Sequence, residues 1–204
     1  YTCNGAVEIG LDFLSDSPVD VAGMMTEQYG RVLLNYLDRN IAAGDGTTQP
    51  TGITVASGTV SVAGGSAAPT VGVYESFFFG VAKKYKQGYS NDRLMFGANE
   101  TTYARSRAIA VSGTDARRIF GMTHGDYQLV GHKYGISDTL ANTKAFFGNM
   151  ARYRMYRRLG QTVKVTTDGK TLVRQNMMLV SARSRWGGQP EDGNAFAVSS
   201  TMQS

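Results

Sequence analysis

Only one cysteine, Cys3, occurs in 204 residues, so no internal disulfide can form, and a thiolate nucleophile there lacks an activating neighbour. Charged residues are also few, at 18%, while glycine is plentiful at 25. That balance belongs to a loop-rich globular protein and not to a disordered one. No apolar run approaches the ~18 residues a membrane helix needs. The opening YTCNGAVEIG has neither a basic region nor an apolar core, which excludes a signal peptide; its lack of an initiator Met implies processing or truncation. Histidine is scarce too. His124 and His132 have no HExxH pattern and no cysteine partner, so both are read as surface-loop residues and no metal is expected. GxSxG is missing, and the acids form no pair at an informative spacing. No catalytic, cofactor-binding or metal residue is assigned.

What is present is organised around one long helix. Asp16 or Ser17 can cap it and Pro18 suits its first position. Val21, Met25, Tyr29, Leu33 (with Val32), Tyr36 (with Leu37) and Ile41 then make one apolar face of a 3.6-residue period. Gly44, Asp45 and Gly46 stop it. A rod of roughly 40 Å is expected at 1.5 Å per residue. The stretch GDGTTQPTG is only superficially a phosphate loop, because it follows the helix and no Lys-Ser/Thr comes after its glycine.

Before the helix, AVEIGLDFL alternates as a half-buried strand should. Residues 47–70 read as a Gly/Ser/Thr-rich surface excursion with a hairpin near Gly58. YESFFFGVAKKYKQ is a helix with Phe77, Phe78, Val81 and Tyr85 on one face, ended by Gly88. RLMFG is a short buried strand, and Asn99 caps a helix carrying Tyr103, Arg107 and Ala110. A polar turn at 113–115 precedes ARRIFG, YQLV is a strand, and HKYGISDTLA is a loop. From Asn149 the pattern becomes β: ARYRMYRRLG, a strand–turn–strand around Asp168 and Gly169, and a last strand NAFAVS. Strand, long helix, mixed middle and returning strands make an α+β protein with two lobes.

Charge is divided unevenly. Residues 1–75 carry two bases against eight acids, a net of −6; residues 76–204 carry 19 against eight, a net of +11. Such a split marks nucleic-acid binding, or a molecule whose acidic part meets a neighbour's basic part. FFGNMARYRMYRR interleaves Arg152, Arg154, Arg157 and Arg158 with Tyr153 and Tyr156. Phosphate contact with base stacking, a protein interface and a plain exposed strand all fit that pattern.

The order of these motifs resembles the major capsid proteins of tailed bacteriophages with the HK97-type fold. VEIGLDFLSDSP entering the long helix, then Gly44, Gly46, Thr47, Pro50, Gly52 and Ile53, are similar to the family's spine-helix entry and its glycine-rich turn. LMFGANETTYARSRAI resembles the strand and helix of the axial (A) domain. AFFGNMARYRMYRRLGQTVKV and LVRQNMMLVSARSRWGGQPEDGNAFAV resemble the return strands of the peripheral (P) domain. The likeness covers nearly the whole chain.

The resemblance implies a spine helix and sheet in a P-domain made of residues 1–73 and 149–204, with residues 74–148 as an inserted A-domain. It implies a non-enzymatic major head subunit that assembles into pentamers and hexamers of an icosahedral shell. Implied partners are further copies, scaffold, portal or decoration proteins and packaged double-stranded DNA bound non-specifically, with no cofactor and no membrane. The implied location is the virion, after assembly in the bacterial host cytoplasm. An encapsulin-like compartment shell and a basic nucleic-acid-binding module are the alternatives. Expected intersubunit contacts are Glu27, Arg31, Asp38, Arg39, Arg117, Arg118, Arg152, Arg154, Arg157 and Arg158. The family's N-terminal arm and extended E-loop are not found in this chain, which implies a truncated or cleaved polypeptide. Some members form a Lys–Asn isopeptide bond aided by a Glu. Asn176 matches that Asn, but Arg183 stands at the Glu position and the donor loop is missing, so no crosslink is expected.

Overall fold

The structure is a computed structural model and describes residues 1–12, 21–64, 69–86, 93–107, 109, 128–129 and 131–202. Its elements in order are β1 Thr2–Gly10, α1 Val21–Ala43, β2 Val60–Ser61, α2 Val71–Gly80, α3 Lys83–Lys86, β3 Leu94–Ala98, α4 Glu100–Arg107, β4 Gln128–Leu129, β5 His132–Ile136, β6 Ala145–Asn149, β7 Tyr153–Thr166, α5 Lys170–Arg174, β8 Met177–Pro190 and β9 Phe196–Ser199. They form two compact units, Tyr1–Leu37 with Met155–Gly187 and Asp38–Arg154 with Gly188–Ser204.

The first unit is built on a three-stranded sheet in the order β1-β8-β7. β1 runs antiparallel to β8, with Ile9 opposite Met178 and Val7 opposite Val180. Ile9, Met178 and Val180 are buried together, and Leu11, Met25 and Val163 pack against them. On the same sheet, the Tyr29 hydroxyl of α1 donates to the Cys3 carbonyl at 3.1 Å and meets Ser184 Oγ at 3.3 Å. Burial of the phenol pushes its pKa up. The expected apolar face of β1 is only half used, because Val7 stays 47% exposed.

The second unit holds the main core around a six-stranded mixed sheet, β2-β9-β6-β3-β5-β4. β2 pairs parallel to β9, and β3 pairs parallel to β5. The other pairs are antiparallel. Every residue of β6 is buried, which explains a strand written as a run rather than an alternation. Phe96 and Phe147 meet with ring centroids 4.4 Å apart. Tyr74 of α2 hydrogen-bonds Ser106 of α4, and Ser106 Oγ in turn donates to the Thr102 carbonyl at 2.6 Å. Asn99 caps α4 as expected, its Oδ1 accepting from Thr102 N at 2.8 Å. Asn149, fully buried, closes β6 by donating to the Tyr85 carbonyl at 2.8 Å and accepting from Ala151 N at 3.0 Å.

α1 spans 23 residues, about 35 Å at 1.5 Å per residue. Leu33 and Leu37 are buried, but Val32 is 60% exposed and lies off the face assigned to it. The glycine stop holds. Gly44 N donates to the Asn40 carbonyl at 3.0 Å, Gly52 N to the Gly44 carbonyl at 2.9 Å and Ile53 N to the Ile41 carbonyl at 2.8 Å. The loop thus folds back on the last turn of the helix. Asp45 fixes it by accepting from Thr47 N, Thr48 N and Gln49 N, each at 2.9 Å. The Thr48 hydroxyl, then these backbone donors, hold the carboxyl at a pKa of about 2. A depressed carboxylate contributes in full above its unfolded value near 4 and loses that contribution as pH falls towards 2. The Thr47, Thr48 and Gln49 amide shifts are therefore expected to titrate together near pH 2; a midpoint near 4 would refute the clamp.

Several expectations are corrected. Residues 47–70 are not a surface excursion: Ile53 and Val62 are buried in the main core, and the only strand described there, β2, joins β9 instead of forming a hairpin. HKYGISDTLA is not a loop, because His132–Ile136 is β5, paired to β3 and β4. The aromatic helix breaks near Val81 into α2 and α3. α5 intervenes after Asp168 and Gly169, so these residues are not a two-residue hairpin turn. β6 already ends at Asn149, and a 3₁₀ turn precedes β7. The capping residues at 16–18, Gly88, Ala110, the 113–115 turn, ARRIFG and His124 lie outside the described residues.

Candidate assembly surfaces

Among the described residues, no group of three or more His, Cys, Asp or Glu side chains is placed to hold a metal ion. No described helix is long and apolar enough to cross a membrane. What the chain offers is surface, and the charged residues singled out from the sequence divide by whether their charge is already engaged.

Glu27 and Arg31 pair with each other on α1 at 2.6 Å, four residues apart and well exposed; such a pair contributes roughly 0.3–0.5 kcal/mol. Arg152 Nη1 and Arg154 Nε both reach Glu191 Oε2, at 3.4 and 3.3 Å. These two guanidiniums, Arg154 first, hold the Glu191 carboxyl below its ordinary range. Arg157 lies over the Trp186 ring at 5.9 Å. Arg39 and Arg158 are exposed. Asp38 is exposed by area, yet part of its carboxyl is desolvated; that and the Asp138 charge raise its pKa. Arg117 and Arg118 lie outside the described residues.

Asn176 has a local role. It adopts φ 53 immediately before β8, a left-handed conformation that Asn tolerates better than most residues. Its Nδ2 donates to Asp12 Oδ1 at 2.8 Å. The Leu11 amide donates to its carbonyl at 2.9 Å.

The surface also carries a feature not read from the sequence. Phe79 is 74% exposed, and it borders a cavity shared with Tyr74, Glu75, Phe78, Phe96 and His132. His132 is not a surface histidine. It is buried, stacked on Phe78 with centroids 5.4 Å apart. Desolvation, and then the charge of Lys86, pushes its pKa down. The signal was available: three consecutive phenylalanines on a helix point about 100° apart, so they cannot all face one core.

Against known proteins, a sequence profile described as the phage capsid family matches residues 1–200. The chain belongs to the phage capsid family. No curated protein matches it. Among solved structures, the capsid of an empty GTA particle computed with C5 symmetry is 18% identical with a TM-score of 0.78, covering 97% of this chain and 72% of that one. A Gordonia phage Cozz chain is 15% identical with a TM-score of 0.70, covering 97% and 69%. A virus-like particle from Pyrococcus furiosus is 10% identical with a TM-score of 0.64, covering 97% and 75%. The α+β fold of this capsid subunit is thus the HK97-like one. Its function is structural, as a subunit of multimeric capsid assemblies. In a capsid subunit the open charges at Asp38, Arg39 and Arg158, and the aromatic cavity, are surfaces available to neighbours.

Proposed function

We propose that this subunit is the major head protein of a tailed phage or prophage, and that its copies form the pentamers and hexamers of an icosahedral shell enclosing double-stranded DNA. The observation that carries this reading is the family match running from residue 1 to residue 200. In this reading residues 74–148 are the axial domain, and residues 1–73 with 149–204 are the peripheral one. The excess of basic residues beyond position 75 supports non-specific contact with packaged DNA. Scaffold, portal or decoration proteins are the other partners, assembly takes place in the host cytoplasm, and the finished product is the virion. Asn176 keeps its turn and forms no isopeptide bond.

Negative-stain electron microscopy of the full-length gene product is expected to show closed shells or six-fold rings. On a denaturing gel those particles are expected to run as a single monomer band. A monodisperse monomer that binds DNA with a steep salt dependence would overturn the shell reading, and a covalent ladder would overturn the statement about Asn176.

A further inference from the structure

The cavity beside α2 has a volume of about 190 Å³. Cofactors and drug-sized ligands occupy roughly 300 Å³ or more, whereas about 150 Å³ is enough for a benzene ring. The space therefore suits one ring or an aliphatic group of that size. Its walls are set by the core. Tyr74 and Phe96 are buried, their rings edge to face with centroids 5.6 Å apart, and Phe96 is backed by Phe147 at 4.4 Å. Phe78 is stacked on His132, and Phe79 meets Phe78 edge-on at 5.4 Å. A site built in this way from a helix and two strands is largely formed before any ligand arrives.

The chemistry of the lining chooses among ligand classes. Tyr74, Glu75 and His132 contribute to it, yet the surface presented is almost wholly apolar. The Tyr74 hydroxyl is taken by Ser106, and His132 Nδ1 is fully buried. Glu75 is exposed, so its carboxylate stays in water. A ligand hydroxyl or amide placed there would lose its hydration and gain no partner. Water fares no better, since it needs polar partners of its own. Aromatic walls also suit a quaternary ammonium. Here, however, the Lys86 ammonium already lies 4.2 Å from the Phe78 ring centre and 5.7 Å from that of Phe79. It is fixed there by donating to the Phe78 carbonyl at 2.6 Å, and a second cation beside it would be repelled. The class that meets no penalty is an uncharged hydrocarbon.

We propose that the cavity is a binding site for one small apolar molecule, an unsubstituted or alkyl-substituted ring, held by the Phe78, Phe79 and Phe96 rings. The occupant fills space within one unit of the subunit and stabilises that unit by mass action. Every residue involved lies in the unit that contains Asp38–Arg154, so the proposal stands apart from the shell reading.

The test titrates the purified chain with toluene and follows the His132 and phenylalanine ring signals by NMR. Saturable shifts are expected, together with a higher unfolding midpoint at saturating toluene. Phenol and tetramethylammonium are expected to bind roughly tenfold or more weakly, because each buries a polar or charged group without a partner. Phe79→Ala removes one wall from an exposed position, so the fold is kept. It is expected to weaken toluene binding roughly fivefold or more through lost apolar contact, with the midpoint of the ligand-free protein unchanged. Val32→Ala, also at an exposed position but in the other unit, is expected to leave toluene binding as it was. The absence of a saturable shift with toluene overturns the proposal. So does equal binding of phenol or tetramethylammonium, or undiminished toluene binding by the Phe79→Ala protein.

Discussion

Gly44→Ala is expected to destabilise the capsid subunit by about 3 kcal/mol or more, at the upper end of what overpacking a core costs. A Cβ at Gly44 would lie 2.0 Å from the Pro50 carbonyl oxygen and 2.8 Å from that of Asn40. At Gly52 it would lie 2.3 Å from Gly44 N and 2.7 Å from Ala43 N. Every one of these neighbours is backbone, so no rotamer change gives relief. Separating the two strands of the loop also breaks the bonds from Gly52 N to Gly44 O and from Ile53 N to Ile41 O, at about 1 kcal/mol each. Ile53 would then be drawn from a site where it is fully buried. Urea unfolding measures the effect. Gly30→Ala is the control, since its Cβ would meet only Gln161 Oε1 at 3.7 Å. In a helix interior that change is expected to stabilise by roughly 0.5–1 kcal/mol. Equal midpoints for Gly44→Ala and the unaltered protein would show that the loop does not depend on the close approach.

Arg158→Glu and Asp38→Lys are each expected to raise the concentration needed for assembly by roughly tenfold or more, the first without changing the unfolding midpoint and the second while raising it slightly, because a lysine there answers the Asp138 charge. Both residues are exposed. Among the described residues no ion pair engages Arg158, while Asp38 faces the like charge of Asp138. An exposed pair contributes only about 1 kcal/mol, but every subunit in a closed ring gives one such contact and receives one. Arg154→Glu is expected to act differently, because it also places a like charge against Glu191 and so lowers stability as well. Light scattering across salt concentrations reads the first effect, since contacts between exposed charges weaken once the screening length falls below about 10 Å. Assembly indifferent to salt and to both reversals would remove electrostatics from the contact.

The parts of the fold legible in the sequence were those whose signals are local. The period of α1, its glycine stop, the Asn99 cap and the run RLMFG each depend on residues within a few positions. The residues 47–70 were misread because β2 is two residues long and owes its place to β9, which lies far away in sequence. β5 did carry a pattern, with His132 and Tyr134 buried on one side and Lys133 exposed on the other. Its glycine and histidine suggested a loop, and the neighbours β3 and β4 decided otherwise. The candidate surfaces were legible as a list of charges but not as a pattern of use. Which arginines answer Glu191 or Trp186 depends on sheet geometry that no spacing rule contains, and the cavity at Phe79 is formed where α2 meets β3 and β5.

The order of the six-stranded sheet also sets a timetable for making the molecule. β9 lies between β2 and β6, though it is translated about 50 residues after β6 at the usual 5–20 residues per second. Until residues 196–199 leave the ribosome, the buried strand β6 has an open edge and Phe196, Ala197 and Val198 are missing from the core. Such long-range pairing is slow to form. Until β9 pairs with it, that open edge can recruit strands from other nascent chains on the same message.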